Sequence, residues 1–241
     1  MPGQKYKKIY QNLKQHIEAG EYPPQTALPP EYTLIGMYDC SRNTVRRAIA
    51  ELAESGYVQS IHGKGVIVIY QPSESAAFDI GQIESLKEAA KRLHMSYRTD
   101  VIRFSECIVD DILARRIGFP PGEEVFYLMR VRYFDGQAVI LDHNWFLKRL
   151  MPELTPEIAA ESVYEYLENE LGETIVTTKR RLTVEKVTEV DEIYLDIKDY
   201  NCLAVVTSDT YNADGVMFEH TQSRHRPDRF TFNTQARRVR D

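Results

Sequence analysis

Two arginine clusters have a spacing that could do chemistry. In the first, Arg42, Asn43, Thr44, Arg46 and Arg47 follow Ser41, at the start of a segment whose apolar residues Val45, Ile49 and Leu52 recur at helical spacing. The polar set leaves such a helix away from the apolar stripe. A guanidinium fork fits guanine O6/N7 or a phosphate, and a carboxamide fits adenine. In the second, Arg130 and Arg132 stand two apart in 125–134, so a strand sends both side chains to one face. Two like charges on an otherwise apolar strand repel unless an anion or carboxylates lie between them. The alternative is a surface strand on which both are solvated. Farther on, Glu219, Thr221, Ser223 and His225 alternate along one strand face, with His220, Gln222 and Arg224 on the other. These types include acid/base groups, but no nucleophile motif or metal-ligand spacing accompanies them.

The elements that must hold the first cluster are readable around it. Tyr6, Ile9, Tyr10, Leu13 and Ile17 predict a helix closed by Gly20. After the turn at Tyr22, Pro23 and Pro24, a second short helix opens with Pro30 at its first position and Glu31, facing Leu34, Ile35 and Tyr38 inward. Asp39 and Cys40 make a corner, Ser41 caps the third helix, and Gly56 ends it. Val58–Ile61 and 66–69, joined by His62, Gly63, Lys64 and Gly65, form a hairpin. Helix, short helix, turn, helix, hairpin is the order of a winged helix-turn-helix. Its third helix enters the major groove by its first residues, and Lys64 at the wing tip adds a phosphate contact.

A polar stretch without periodicity, 71–78, reads as a linker, so the expected domains are 1–70 and 79–241. Beyond it, 85–93 has a helical apolar face that Ser85 caps, leaving N–H groups able to receive an anion. Strands are expected at Tyr97–Ile108, 125–134, 137–146, 180–187, 203–211, 216–223 and 229–233. Asp135-Gly136 and Asp214-Gly215 mark hairpins. Helices are expected at 110–117, from Ser162 to Gly172, and at 189–195. The fold class is therefore α+β, a winged helix-turn-helix followed by an antiparallel-sheet domain.

Bulk properties fit this division. The 241 residues are 43% hydrophobic and 27% charged, enough to bury real cores. The net charge of −6 divides unevenly. Residues 1–72 hold eight Lys and Arg against six Asp and Glu, net +2, and the remainder 22 against 30, net −8. A basic head on an acidic body fits phosphate contact by the head alone. No apolar run approaches the roughly 18 residues of a membrane span, and the start lacks a signal-peptide pattern. With three widely separated cysteines, Cys40, Cys107 and Cys202, the expected compartment is the cytoplasm.

The stretches L-P-P-E-Y-T-L and S-R-N-T-V-R-R-A-I-A-E-L-A-E-S-G-Y-V-Q-S-I-H-G-K-G resemble the DNA-binding head of the GntR family. The resemblance implies DNA contacts at Glu31, Tyr32, Ser41, Arg42, Thr44, Arg46, His62 and Gly63, although relatives often have Arg where this chain has Tyr32. The stretches M-R-V-R-Y-F-D-G-Q, E-S-V-Y-E-Y-L-E-N-E-L-G and E-H-T-Q-S-R-H-R-P-D-R-F resemble the effector domain of the HutC branch, the UTRA domain, similar in fold to chorismate lyase. In sugar-phosphate-sensing members the phosphate lies against positions matching Ser85, Leu86 and Lys87, Arg130 and Arg132, and Ser162 with Tyr164. The sugar is met at positions matching Asp142, Glu219 and His225, more often Glu and Tyr at the first and last. Within the branch, G-Q-I-E-S-L-K-E, A-V-I-L-D-H-N-W-F and S-R-H-R-P-D-R-F-T-F look most like trehalose-operon regulators of Gram-positive bacteria. That implies trehalose 6-phosphate as effector. Recognition helices read half-sites about one helical turn apart, so a palindromic operator and a homodimer are expected, and with no nucleophile motif or metal cluster, no cofactor and no enzymatic activity. The residues alone reach only an anion near two arginines with a hydroxyl-bearing remainder. The alternatives are another sugar phosphate or small acid, or a lyase-like enzyme.

Overall fold

In the computed structural model, which describes residues 2–71 and 83–232, the chain divides into two units, within Met1–Glu74 and Ser75–Thr234. Most of the expected linker and the basic tail from 233 lie outside the described residues.

In the first unit α1 (Pro2–Glu18) buries Ile9, Leu13 and Ile17 against Val45, Ala48, Ile49 and Leu52 of α3 (Arg42–Glu54), and Tyr6 is buried as well. Each Val, Ile or Leu among them contributes about 1.5–3 kcal/mol on leaving water. Helix α2 (Glu31–Tyr38) adds Leu34 to this core. Pro30, expected inside that helix, instead precedes it with ψ 152°, so the helix starts one residue later. The corner between α2 and α3 is turned by Asp39 at φ +44°, a left-handed conformation that Asp tolerates. Ser41 then caps α3, its hydroxyl accepting the Thr44 N–H at 3.3 Å. Strands β1 (Val58–Ile61) and β2 (Gly65–Val68) pair as the wing, Ile61 opposite Gly65, around a turn that needs Gly63 at φ +76°.

The second unit is a six-stranded antiparallel sheet in the order β3-β4-β5-β8-β7-β6. It comprises β3 (Tyr97–Ile108), β4 (Glu124–Phe134), β5 (Gln137–Leu147), β6 (Ile175–Lys186), β7 (Cys202–Asn212) and β8 (Met217–His225). Asp135 and Gly136, both at positive φ, close the β4–β5 hairpin. Helices α4 (Leu86–Leu93), α5 (Asp111–Ile117), α6 (Pro156–Glu161), α7 (Val163–Glu165) and α8 (Glu189–Tyr194) dress it. The largest core joins Phe126, Leu128, Phe146 and Phe218 with Ala159, Val163 and Leu167. On the other sheet face, Val131, Leu141, Leu203 and Val205 pack with Leu195, just after α8. Helix α8 is tied down by Arg224, which donates to both oxygens of buried Asp191, at 2.8 and 2.9 Å. Burial alone would raise the Asp191 pKa; the Arg224 hydrogen bonds outweigh it and hold it low.

Three expectations change in the second unit. Strand β6 starts at Ile175, five residues before the expected boundary, because an edge strand needs no continuous apolar pattern. The expected strand at 229–233 is absent through Phe232: Pro227–Arg229 is a single 3-10 turn, held where buried Arg226 donates to Asp228, Gln137 and the Asp196 carbonyl. The expected helix from Ser162 is α7 continued by a π-helical turn, Tyr166–Glu170.

Candidate functional site

The first cluster sits on the exposed side of α3. Glu31 holds two of its arginines at once: Arg42 Nε donates to Oε2 and Arg46 Nε to Oε1, both at 3.0 Å. The Arg46 hydrogen bond, against slight burial, lowers the Glu31 pKa. The arginine side chains remain 67% and 58% exposed, so their remaining N–H groups face water. Arg47 is different, with its guanidinium stacked 3.8 Å over the Tyr6 ring of α1. Tyr32, Ser41, Asn43, His62, Gly63 and Lys64 are exposed, and Thr44 is half-buried beside the Ser41 hydroxyl. Exposed cations on a helix start and a wing can meet phosphates and base edges without first breaking a core.

The second cluster is buried. Arg130 and Arg132 are 4% and 8% exposed, and the register of β4 with β5 sets Asp142 directly opposite Arg130. Asp142 therefore shares the arginines' face, with Ser223 of β8 on its other side. Arg132 Nε donates to Asp142 Oδ2 at 2.8 Å and its Nη1 to Thr99 Oγ1 at 2.8 Å; the Ser223 hydroxyl donates to Asp142 Oδ1 at 2.6 Å. Arg130 Nε donates to Asn144 Oδ1 at 2.9 Å and its Nη1 to the Ala159 carbonyl at 3.1 Å. Asn144 donates on to Thr221 at 2.7 Å, and Thr221 to Glu219 at 2.7 Å. Tyr164 OH donates to the other Glu219 oxygen at 2.6 Å.

The electrostatics follow from this crowding. Burial first and the Arg132 charge second push the Arg130 pKa down to about 9. Burial would raise Asp142, but the charges of Arg132 and Arg130, with the Ser223 bond, bring it below its ordinary value. Burial pushes His225 down to about 4 against the pull of Asp142, so the ring is neutral at pH 7. Burial and the Glu219 carboxylate raise Tyr164 far up, keeping the phenol protonated. Carboxylates thus lie beside the arginine pair, one of the two resolutions its spacing allowed.

These side chains surround one cavity of about 880 Å³, open mouth included. Ser85, Leu86, Lys87, Arg130, Arg132, Asp142, Ser162, Tyr164, Glu219 and His225 all line it. Two helix starts open on it. Ser85 and Glu88 form a reciprocal capping box on α4, which takes up the Ser85 and Glu88 N–H groups, so fewer remain for an anion than a bare cap would leave. Ser162 caps α7, accepting the Glu165 N–H at 3.2 Å, while Lys87 reaches across to the Glu165 carboxylate at 2.7 Å. The cavity wall also includes Asn144, Thr178, Arg180, Ser208, Thr221 and Ser223, which the sequence reading did not place in a site. Asn144 was findable, being two residues from Asp142 on the same face, as were Thr221 and Ser223 between Glu219 and His225. Thr178, Arg180 and Ser208 needed the strand order β8-β7-β6.

A winged helix-turn-helix with a sheet domain enclosing a polar, arginine-lined cavity defines a class of ligand-responsive DNA-binding regulator. The chain belongs to the GntR family and carries a UTRA domain: residues 5–68 match the bacterial regulatory proteins of the gntR family and residues 92–231 the UTRA domain. It is 35% identical to the HTH-type transcriptional regulator TreR of Bacillus subtilis over 97% of this chain and 98% of that one. It is 28% identical to the mannosyl-D-glycerate transport/metabolism system repressor MngR of Escherichia coli, over 97% and 96%. Among solved structures, the effector-binding domain of the B. subtilis trehalose repressor TreR superposes with a TM-score of 0.53 at 33% identity, over 59% of this chain and 99% of that one. B. subtilis YydK, 21% identical, shares the whole fold with a TM-score of 0.81, over 97% and 99%. The protein is a transcriptional regulator of that family. No helix among its described residues is long and apolar enough to cross a membrane.

Proposed function

We propose that this regulator is a cytoplasmic repressor of a sugar-utilisation operon. In this reading it binds a palindromic operator as a two-fold dimer and releases it when trehalose 6-phosphate enters the cavity. The observation that carries the reading is the pair of buried arginines beside acceptor-only carboxylates in one pocket. Arg130 and Arg132 each spend Nε and Nη1 on fixed partners, which orients the remaining edge of each guanidinium. A phosphate dianion there relieves the mutual repulsion that a buried pair otherwise bears. The α4 start adds a favourable dipole. Asp142 and Glu219 repel that anion but accept from sugar hydroxyls, so they suit the uncharged remainder of the ligand. The choice of trehalose rests on the likeness to TreR across nearly the whole chain.

The DNA contacts would come from Glu31, Tyr32, Ser41, Arg42, Asn43, Thr44, Arg46, Arg47 and the wing residues His62, Gly63 and Lys64. A ligand moves the DNA-binding equilibrium only by its differential affinity for the two states. In this proposal the phosphate is held better when Ser85, Leu86 and Lys87 close over it than in the DNA-competent arrangement. The relatives it resembles are named as a transcriptional regulator and a repressor, which favours a binding role over turnover. A thermal-shift series with trehalose 6-phosphate, trehalose, glucose 6-phosphate and N-acetylglucosamine 6-phosphate tests the ligand. At 100 times Kd the effector stabilises by about 2.7 kcal/mol, roughly 5–10 °C for a chain of this size. The largest shift should come from trehalose 6-phosphate. A larger shift with another sugar phosphate reassigns the ligand.

A further inference from the structure

The effector cavity runs well beyond its arginine pair. Its floor is the sheet, which it crosses over five strands in the order β4-β5-β8-β7-β6. Arg130 of β4 stands opposite Asp142, and Asp142 opposite Ser223. Two residues along, on the same face, Asn144, Thr221, Ser208 and Arg180 form one row, each opposite the next. The row after it runs Phe146, Glu219, Thr210 and Thr178, where Thr210 donates to Thr178 at 3.4 Å. Thr178, Arg180 and Ser208 all line the cavity and are half-buried. Burial and Glu219 raise the Tyr164 pKa while the Arg180 charge pulls against them, so this guanidinium stands within electrostatic reach of the phenol.

Such a floor measures the length of what lies on it. Neighbouring strands are about 4.7–4.9 Å apart, so the four steps from β4 to β6 cover about 19 Å. A hexose ring covers about one step. A phosphate on Arg130 and Arg132 puts the attached ring over β5 and β8, against Asp142, Glu219 and His225. There a monosaccharide phosphate ends, short of Ser208 on β7 and of Thr178 and Arg180 on β6. A second ring reaches them. Their chemistry suits hydroxyls, since Ser and Thr both donate and accept and a guanidinium donates in a fixed fork. Nor does charge call for a second acid at that end. Arg130, Arg132 and Arg180 already face Asp142, Glu219 and the two charges of a phosphate dianion.

We propose that Thr178, Arg180 and Ser208 form the subsite for the second sugar ring of a disaccharide phosphate, and that Arg180 is the residue by which the regulator tells such an effector from a monosaccharide phosphate. The inference rests on the reading that the effector is trehalose 6-phosphate, and it assigns the part of the cavity that meets the far ring.

Thermal-shift titrations of the full chain with trehalose 6-phosphate and with glucose 6-phosphate, each carried to about 50 mM so that weak binding is read, test it. Wild type should bind trehalose 6-phosphate at least about 10-fold more tightly than glucose 6-phosphate. Arg180→Ala should weaken trehalose 6-phosphate by about 10- to 150-fold, the loss of hydrogen bonds from a charged donor, and leave glucose 6-phosphate within about 2-fold. Ser208→Ala, nearly isosteric, should show the same selectivity at about 2- to 12-fold. A merely structural Arg180 would weaken both ligands alike. Should Arg180→Ala give no melting transition, Ser208→Ala decides by the same ratio. A wild type that responds to neither ligand, or binds both equally, overturns the disaccharide effector itself. A wild type that prefers trehalose 6-phosphate, with a variant that loses both ligands alike or neither, leaves the effector standing and overturns this subsite. A wild type that binds trehalose 6-phosphate but is blind to glucose 6-phosphate overturns it too, because the near end then holds nothing alone.

Discussion

The two arginine pairs solve the same electrostatic problem in opposite surroundings. Arg42 and Arg46 share the Glu31 carboxylate at the surface, more than half exposed. Arg130 and Arg132 are buried next to Asp142 and locked by Asn144, Thr99 and the Ala159 carbonyl. An exposed ion pair contributes about 0–1 kcal/mol, so the head's arginines can leave Glu31 for a phosphate or a base at small cost. A buried pair is expensive to form and expensive to break, and its geometry is fixed before any ligand arrives. In the proposed function, one pair exchanges partners on DNA and the other waits for one shape of anion.

Breaking the two carboxylates should expose this difference most sharply. Asp142→Ala leaves Arg132 with a buried, uncompensated charge and should cost about 3–5 kcal/mol of stability. Glu31→Gln should cost no more than about 0.5 kcal/mol. Urea denaturation of both variants compares them directly, and equal losses would erase the distinction.

On DNA the ranking reverses. Arg42→Ala and Arg46→Ala should each weaken operator binding by about 1–3 kcal/mol and relax specificity at one base if either reads a guanine. Lys64→Ala should weaken all sequences alike and lower the salt slope by about 1. Fluorescence anisotropy against operator and scrambled duplexes separates these outcomes. Unchanged operator affinity in both arginine variants would mean that another helix reads the DNA.

Acid should strain the buried site in a particular window. His225 has a folded pKa of about 4 against about 6.5 unfolded, so the unfolded chain binds the proton first. Its stability contribution is complete above about pH 6.5 and is lost as pH falls toward 4. Between pH 7 and 5 the loss is about 2 kcal/mol. His225→Gln should remove that component from the pH dependence of urea unfolding, and an unchanged dependence would assign the loss elsewhere.

Much of this was legible in the sequence where period and side-chain chemistry agreed. The α3 stripe with its Ser41 cap, the wing turn around Gly63 and the Asp135-Gly136 hairpin each have a local cause. So did the arginines' shared face, since strand parity is local. What failed depended on long-range pairing. The start of β6 reads as a basic, half-polar run, and only its place at the sheet edge makes it a strand. Whether Asp142 faces Arg130 depended on hairpin register, to which a bulge at Arg132/Tyr133 adds an offset that no pattern announces. Phe230–Phe232 looks strand-like yet lies past the turn at Pro227–Arg229, where Arg226 is held by partners as distant as Gln137.

The most direct measurement is a titration of operator-bound protein with trehalose 6-phosphate and with trehalose, in wild type and in Arg130→Ala, read by gel shift. The open cavity lets water replace the guanidinium on Asn144 and Ala159, and circular dichroism checks that the variant is folded. Wild type should release operator with trehalose 6-phosphate and not with trehalose. Arg130→Ala should bind operator as wild type does, yet need about 10- to 150-fold more trehalose 6-phosphate for release, the loss of one charge-assisted contact worth about 1.5–3 kcal/mol. Equal release by the two sugars, or normal release of the variant, would contradict an arginine-held phosphate as the signal.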